Sequence, residues 1–409
     1  MLTVLLLIGI VNIMSVRKVA SLSTTFYEKL GSPRFISAPM VDHSSLAWRT
    51  FVKKNGCDLA YTEMLNSFSF GRSKRWRAQY SDWKDYKHVS GSEELTEQAK
   101  KLDTPLILQF AGESPELIVQ AARFVQHDAA AIDLNLGCPQ KVAKKGNFGA
   151  YLLKDKPLVL KILTKMVNEL ACPITAKIRV FDSEEETLDM CRAIQDCGVS
   201  MLTVHGRTIR EANQFCGPAN WDRIAKIKQT LSIPVIANGG IGCYADAINC
   251  LAYTGADGVM SSEGLLENPK MFSEQGDYEF RNNYPRAQIN TVKEFIAEAN
   301  SYTLPPGQEI PNIRGHLFKM MHRMVLAPQN QDMLKQLSSL DYVKMCEVVN
   351  VLEERLQSVD FDEERALNKG LLVPTGFYMR HRAPKPVTIA MSNDTIDVDS
   401  NVSGVQQLC

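Results

Sequence analysis

The sequence predicts an α/β fold, a (β/α)8 TIM-type barrel followed by a small all-α helical domain, and three observations carry that expectation. Eight short apolar runs rich in β-branched residues recur between residues 34 and 261. Longer stretches with helical spacing separate them, the pattern of a parallel sheet covered on its faces. Polar and charged residues gather where each run ends, the end at which such a barrel keeps its chemistry.

The runs, in order, are residues 34–38, 58–62, 105–110, 130–134, 174–178, 200–204, 234–237 and 258–261. Their ends carry Pro39 and Met40, then Glu63, Gln109, Asn135 with Cys138, Lys177 with Arg179, His205 with Arg207, Asn238-Gly239-Gly240, and Ser262-Glu263-Gly264. Helices are expected over 115–127, 156–170, 184–197 and 220–230, where Pro157 suits a first turn and Asn220 a cap. After about residue 275 the spacing is helical throughout. Val292, Phe295, Ile296 and Ala299 form one stripe, Ile313, Leu317, Met320, Met321 and Met324 a second, and Tyr342, Cys346, Val349, Leu352 and Leu356 a third. The expected division is a leader or start-site extension over 1–24, the barrel over 25–280, the helical domain over 281–368 and a disordered tail over 369–409.

With 45% hydrophobic and 22% charged residues the chain has an ordinary globular composition. Its formal net charge is zero, so any polyanion must be met by local basic clusters. The ten cysteines form no CxxC pairs, which argues against zinc and iron–sulfur sites and suits a reducing compartment such as cytoplasm or nucleus. Residues 1–14 are apolar and uncharged, too short for a comfortable membrane span and without a basic n-region. A targeting leader, a signal anchor and an extension ahead of a start at Met14 remain open, and the last is preferred. No stable membrane partner is expected, and a monomer is.

Asn135-Leu136-Gly137-Cys138-Pro139 is the most informative stretch. A thiol between glycine and proline cannot lie within a regular strand or helix, so a loop presents it. A free cysteine is as often a small buried hydrophobe as a reactive group. Asn238-Gly239-Gly240-Ile241-Gly242 and Ser262-Glu263 sit after runs seven and eight, where barrels of this kind grip phosphate. Gln109, Asn135 and Lys177 would ring the mouth with amides and one cation, a set suited to a flavin edge; a salt bridge to Glu63 is the structural alternative for Lys177. No glycosidase carboxylate pair or Ser/His/Asp array stands out.

Taken together, Ala38-Pro39-Met40, Asp133-Leu134-Asn135-Leu136-Gly137-Cys138-Pro139 with the downstream Lys145-Gly146-x-x-Gly149, Lys177-Ile178-Arg179, His205-Gly206-Arg207-Thr208 and Asn238-Gly239-Gly240-Ile241 resemble the tRNA-dihydrouridine synthases. The resemblance covers residues 33–275. It implies an FMN barrel followed by a helical tRNA-binding domain, in which flavin reduced by NADPH or NADH gives hydride to uracil C6 and Cys138 protonates C5. By the same resemblance Pro39, Met40, Gln109, Lys177, His205, Asn238, Gly239 and Gly240 contact FMN, and Asn135 and Arg179 meet the uracil or its ribose. The match departs at the eighth run. Many bacterial members have Gly-Arg there, whereas Ser261-Ser262-Glu263-Gly264 looks like the eukaryotic branch acting at positions 16 and 17, with backbone N–H groups of Ser262 and Glu263 replacing arginine. For RNA, the basic candidates are Arg72, Lys74, Arg75 and Arg77 beside Trp76 and Tyr80, the 141–145 loop, and Arg314, Lys319, His322 and Arg323. An FMN oxidoreductase of a free pyrimidine and a non-catalytic RNA binder are the competing readings.

Overall fold

The computed structural model describes residues 26–80, 89–212, 216–304, 311–339 and 341–379. The 1–24 leader, Arg380, His381, Arg382 and Lys385 lie outside the described residues.

Eight parallel strands close in sequence order: β1 Phe35–Ser37, β2 Leu59–Asn66, β3 Leu106–Ala111, β4 Ala131–Leu136, β5 Ile174–Arg179, β6 Met201–His205, β7 Val235–Asn238 and β8 Gly258–Ser261. Closure comes from β1 against β8, with Ile36 opposite Met260 and Ser37 opposite Ser261. Every residue of β3 and β4 is buried, including Gln109, Asp133 and Asn135. Inward-facing positions therefore form a packed interior, and the polar ones sit toward the carboxyl end. β2 runs past the expected residue 62 to Asn66. Its register against β3 shifts between Tyr61 and Met64, a bulge at the barrel rim that no apolar periodicity could announce.

Helices follow the expected spans with small changes at their ends: Pro115–Arg123, Lys156–Glu169, Glu184–Asp196 and Trp221–Thr230. Their starts are fixed by side-chain caps. Ser114, Asp155, Ser183 and Asn220 each accept a backbone N–H from three residues on.

The boundary expected between residues 280 and 281 falls inside the helix Glu274–Asn282. Beyond it run Tyr284–Ala299, Arg314–Met320, His322–Val325, Gln331–Leu337, Tyr342–Gln357 and Glu363–Asn368. The methionine stripe is core, with Met320, Met321 and Met324 fully buried. Helix Leu46–Lys54 of the barrel meets the helical unit through Phe295, whose ring lies 5.8 Å from Trp48 and 5.5 Å from Phe51. Gln288 Nε2 donates to the carbonyls of Glu267 and Met320, both at 2.7 Å, and so ties the end of the barrel to the helices. One hydrophobic cluster runs through both units.

The expected disordered tail over 369–409 is corrected where it is described. Leu371, Leu372 and Phe377 are buried, and residues 371–379 pack back onto the rest of the molecule. A polar, proline-bearing composition hid the three apolar anchors. Among the described residues no helix is long and apolar enough to cross a membrane.

Candidate active site

The carboxyl ends of the strands surround a cavity of about 210 Å³. Of the expected site residues, Pro39, Met40, Asn135, Cys138, Lys177, Arg179, His205, Asn238, Gly239, Gly240, Ser262 and Glu263 line it. Gln109 does not. It lies wholly buried one layer down, its Nε2 donating to Asp133 Oδ2 at 2.8 Å and its Oε1 accepting from Asn135 Nδ2 at 2.8 Å.

That pair of bonds belongs to a chain which sets the thiol loop. Thr175 Oγ1 donates to Asp133 Oδ1 at 2.6 Å, Gln109 bridges Asp133 to Asn135, and Asn135 Oδ1 accepts the N–H groups of Gly137 at 3.1 Å and Cys138 at 3.0 Å. Asn135 thus spends its carbonyl on shaping the turn. Burial pushes the Asp133 carboxyl up to about 6, against the two bonds it accepts. Asp133 stood in the sequence motif, and a charge inside an otherwise apolar strand was the signal that it works inward.

Two further contacts pin the loop. Arg179 Nε donates to Gly137 O at 2.8 Å and its Nη1 to Thr208 O at 3.0 Å, joining the loops after β4 and β6. Gly149 adopts φ +63°, and a Cβ there would come 2.8 Å from the Cys138 carbonyl oxygen and 2.9 Å from its Cβ, two reasons the position takes glycine. The neighbour Ala150 donates its N–H to Cys138 O at 3.0 Å.

Lys177 lies in register beside Asn135 on the adjacent strand, and Cys138 follows from that same β4 end. Its Nζ donates to Asn238 Oδ1 at 3.0 Å, so the pairing considered with Glu63 is replaced by an amide across the mouth. Burial lowers the Lys177 ammonium to about 8, with Arg179 adding to the fall and Asp133 opposing it. Burial likewise lowers Arg179 to about 10, with Arg207 second. Cys138 is raised: burial outweighs the backbone bond at Gln140 and the cations Arg179 and Lys177. The cations alone would have lowered it.

His205 Nε2 lies 3.1 Å from Arg207 Nη1. A guanidinium can only donate, so Nε2 accepts and the ring proton sits on Nδ1. Gly239 takes φ +101° and approaches that ring so closely that a Cβ would lie 2.7 Å from His205 Cδ2. Gly240 takes φ +82° beside Trp221, whose Nε1 donates to Gly239 O at 3.0 Å.

The N–H groups of Gly240, Ile241 and Ser262 have no acceptor among the described residues, whereas that of Gly239 faces Met260 O across the β7–β8 ladder. Unpaired backbone donors in a glycine cradle after β7 and β8 fit the phosphate of a flavin mononucleotide. Pro39, Met40, Lys177 and Asn238 would hold the rest of it. The residues present therefore fit the group.

Sequence reasoning missed His43 and Tyr378, which also line the cavity, and named Arg207 at a strand end without giving it a role in the site. Lys319 reaches His43 from the helical unit, Nζ to Nε2 at 2.6 Å, and burial, reinforced by Lys319, lowers His43 to about 4. Lys319 and His322 are buried and Arg323 pairs with Glu363, which leaves only the half-buried Arg314 of that basic group toward the outside. The other two clusters are outward. Arg72, Lys74 and Arg75 are exposed beside the Trp76–Tyr80 stack, centroids 4.3 Å apart, although Arg77 donates to the Phe70 and Gly71 carbonyls. Lys141, Lys144 and Lys145 are exposed on the short helix Lys141–Lys145 that follows the thiol loop.

Fold and site together define a closed (β/α)8 barrel with a half-buried thiol, two buried cations and a glycine turn around one mouth. The family model described as dihydrouridine synthase matches residues 36–358, and the chain belongs to that family. It is 37% identical over 308 residues to a tRNA-dihydrouridine(16/17) synthase [NAD(P)(+)] of Schizosaccharomyces pombe, covering 73% of this chain and 72% of the relative. A mouse protein named tRNA-dihydrouridine(16/17) synthase [NAD(P)(+)]-like is 36% identical over 73% of this chain, which spans 58% of that relative's length. A second mouse relative, tRNA-dihydrouridine(20a/20b) synthase [NAD(P)+]-like, is 36% identical over 75% of this chain and 87% of its own.

Proposed function

We propose that this protein reduces uridine in the D-loop of tRNA to 5,6-dihydrouridine, at positions 16 and 17, using FMN and NADPH or NADH. The observation that carries the reading is the placement of Cys138 in the same cavity as Lys177 and Arg179, within a mouth that also holds unpaired N–H groups at Gly240, Ile241 and Ser262.

Bound FMN, once reduced by the nicotinamide, supplies the hydride that uracil receives at C6. The protein supplies the rest. Cys138 gives its Sγ proton to C5, so the C5=C6 bond takes up one hydride and one proton. Burial keeps the thiol protonated until then, a requirement for a general acid at neutral pH. The thiolate left behind is stabilised by Arg179 and Lys177 and regains its proton from solvent. Lys177 is also placed to stabilise negative charge at the flavin edge. Asn135 holds the Cys138 backbone in place, and Arg179 Nη2, which has no partner among the described residues, is the side of that guanidinium free to meet the base or its ribose.

A uracil must leave the stack to enter this mouth, so the enzyme grips distorted RNA as well as one base. The Trp76–Tyr80 stack with Lys74 and Arg75, and the helix Lys141–Lys145, are the surfaces assigned to it. The proposed location is the cytoplasm or nucleus, where such a substrate is found. Names of relatives at positions 16/17 and at 20a/20b both occur, and position is settled by mass spectrometry of tRNA from cells with and without the gene. Loss of dihydrouridine at 16 and 17 is the expected result; loss at 20a or 20b alone corrects the position, and an unchanged tRNA rejects the function.

A further inference from the structure

Residues 371–379 return from the helical unit to the barrel mouth and are fastened at three points. Val373 donates its N–H to Arg323 O at 2.7 Å and accepts from Arg323 Nε at 2.9 Å. Gly376 lies so close to Glu267 that a Cβ would stand 2.0 Å from Oε1, and the N–H of Tyr378 donates to Oε2 of the same carboxylate at 2.8 Å. Phe377, only 4% exposed, packs edge-on to His322 at 5.7 Å with Lys319 Nζ 5.5 Å from its ring centroid.

These anchors lay the Tyr378 ring over Gly242, where a Cβ would come 2.5 Å from Cε1. Gly242 directly follows the unpaired N–H groups of Gly240 and Ile241, and Tyr378 lines the same cavity as Ser262 and Glu263. The family match ends at residue 358, so the whole segment lies beyond it.

We propose that residues 371–379 form a fixed strap whose Tyr378 ring walls the phosphate end of the flavin cavity off from solvent. The inference rests on the FMN reading above. A ring in that place excludes water from the bonds between backbone N–H groups and phosphate, and such bonds strengthen as the local dielectric falls. It also costs little entropy, since tyrosine has two side-chain torsions and the strap is already held.

The test titrates apo-protein with FMN and with riboflavin, which lacks the phosphate, and follows quenching of flavin fluorescence. Tyr378→Ala is expected to weaken FMN on the order of tenfold and riboflavin by less than about twofold. Tyr378→Phe is expected to restore FMN affinity to within about twofold of the original protein. Phe377→Ala, which releases the strap without altering the cavity lining, is expected to reproduce the loss. Equal losses for both flavins, or unchanged FMN affinity in Tyr378→Ala, overturn the strap's role while the flavin reading stands. Failure of the unaltered protein to bind either flavin overturns that reading and the inference with it.

Discussion

Around Cys138 two influences oppose each other at one sulfur, and because burial outweighs Arg179 and Lys177 the group is held as a thiol, as the proposed proton donor must be. Cys138→Ala is therefore expected to keep its flavin band while dihydrouridine formation falls by about 10² to 10⁴-fold, the usual worth of a general acid; normal turnover in this variant would send the proton through another group. Lys177 sets the alkaline side of the pH profile. Its folded pKa is lowered to about 8, so it is charged below that pH and loses its proton as pH rises through it. Without that charge both the flavin edge and the spent thiolate lose a stabilising partner. kcat/KM for tRNA is expected to fall above pH 8, and Lys177→Arg, which stays charged, to flatten the fall. Cys138 and Lys177 were legible in the sequence because each stands at a strand end. The displacement of Gln109 behind Asn135 was not, because a strand's alternation tells which face a residue takes and not how deep in the barrel it sits.

Each strand contributes a short turn whose backbone does as much as its side chains. Gly239 shows it best, since φ +101° and a 2.7 Å approach to the His205 ring leave no room for a methyl group. Gly239→Ala is expected to fold and to lose most of its bound flavin, read from the ratio of flavin to protein absorbance; a fully loaded variant would contradict the cradle. The helix Lys141–Lys145 tests a different surface. Reversing Lys144 and Lys145 to glutamate is expected to raise KM for tRNA by about tenfold at low salt and to reduce the salt dependence, with the flavin spectrum unchanged. Strands and helices were legible because the apolar runs repeat so regularly and because Pro157 and Asn220 mark helix starts. The bulge in β2 escaped, as it depends on pairing between Tyr61, Met64 and their β3 partners, a non-local fact.

Across the whole molecule the barrel and the helices share one core, and Gln288 is the polar bolt between them. Gln288→Leu leaves the Glu267 and Met320 carbonyls buried without a donor, a loss of about 2 kcal/mol. Thermal unfolding is expected to move down by several degrees and to remain one transition; two separate transitions would show that the units melt independently. The sequence revealed where helices replace strands, but not that residues 371–379 come back, because Phe377 and Tyr378 are two aromatic residues among turn formers and carry no period. One consequence concerns modular exchange. One piece of the cavity wall, Tyr378 against Gly242, comes from outside the barrel, and a second, His43, is held from outside by Lys319. A chimera that grafts a foreign helical unit onto this barrel to redirect it to another uridine also trades away one piece of the reaction chamber and the support of another, so transplanted specificity must travel with those matched pairs.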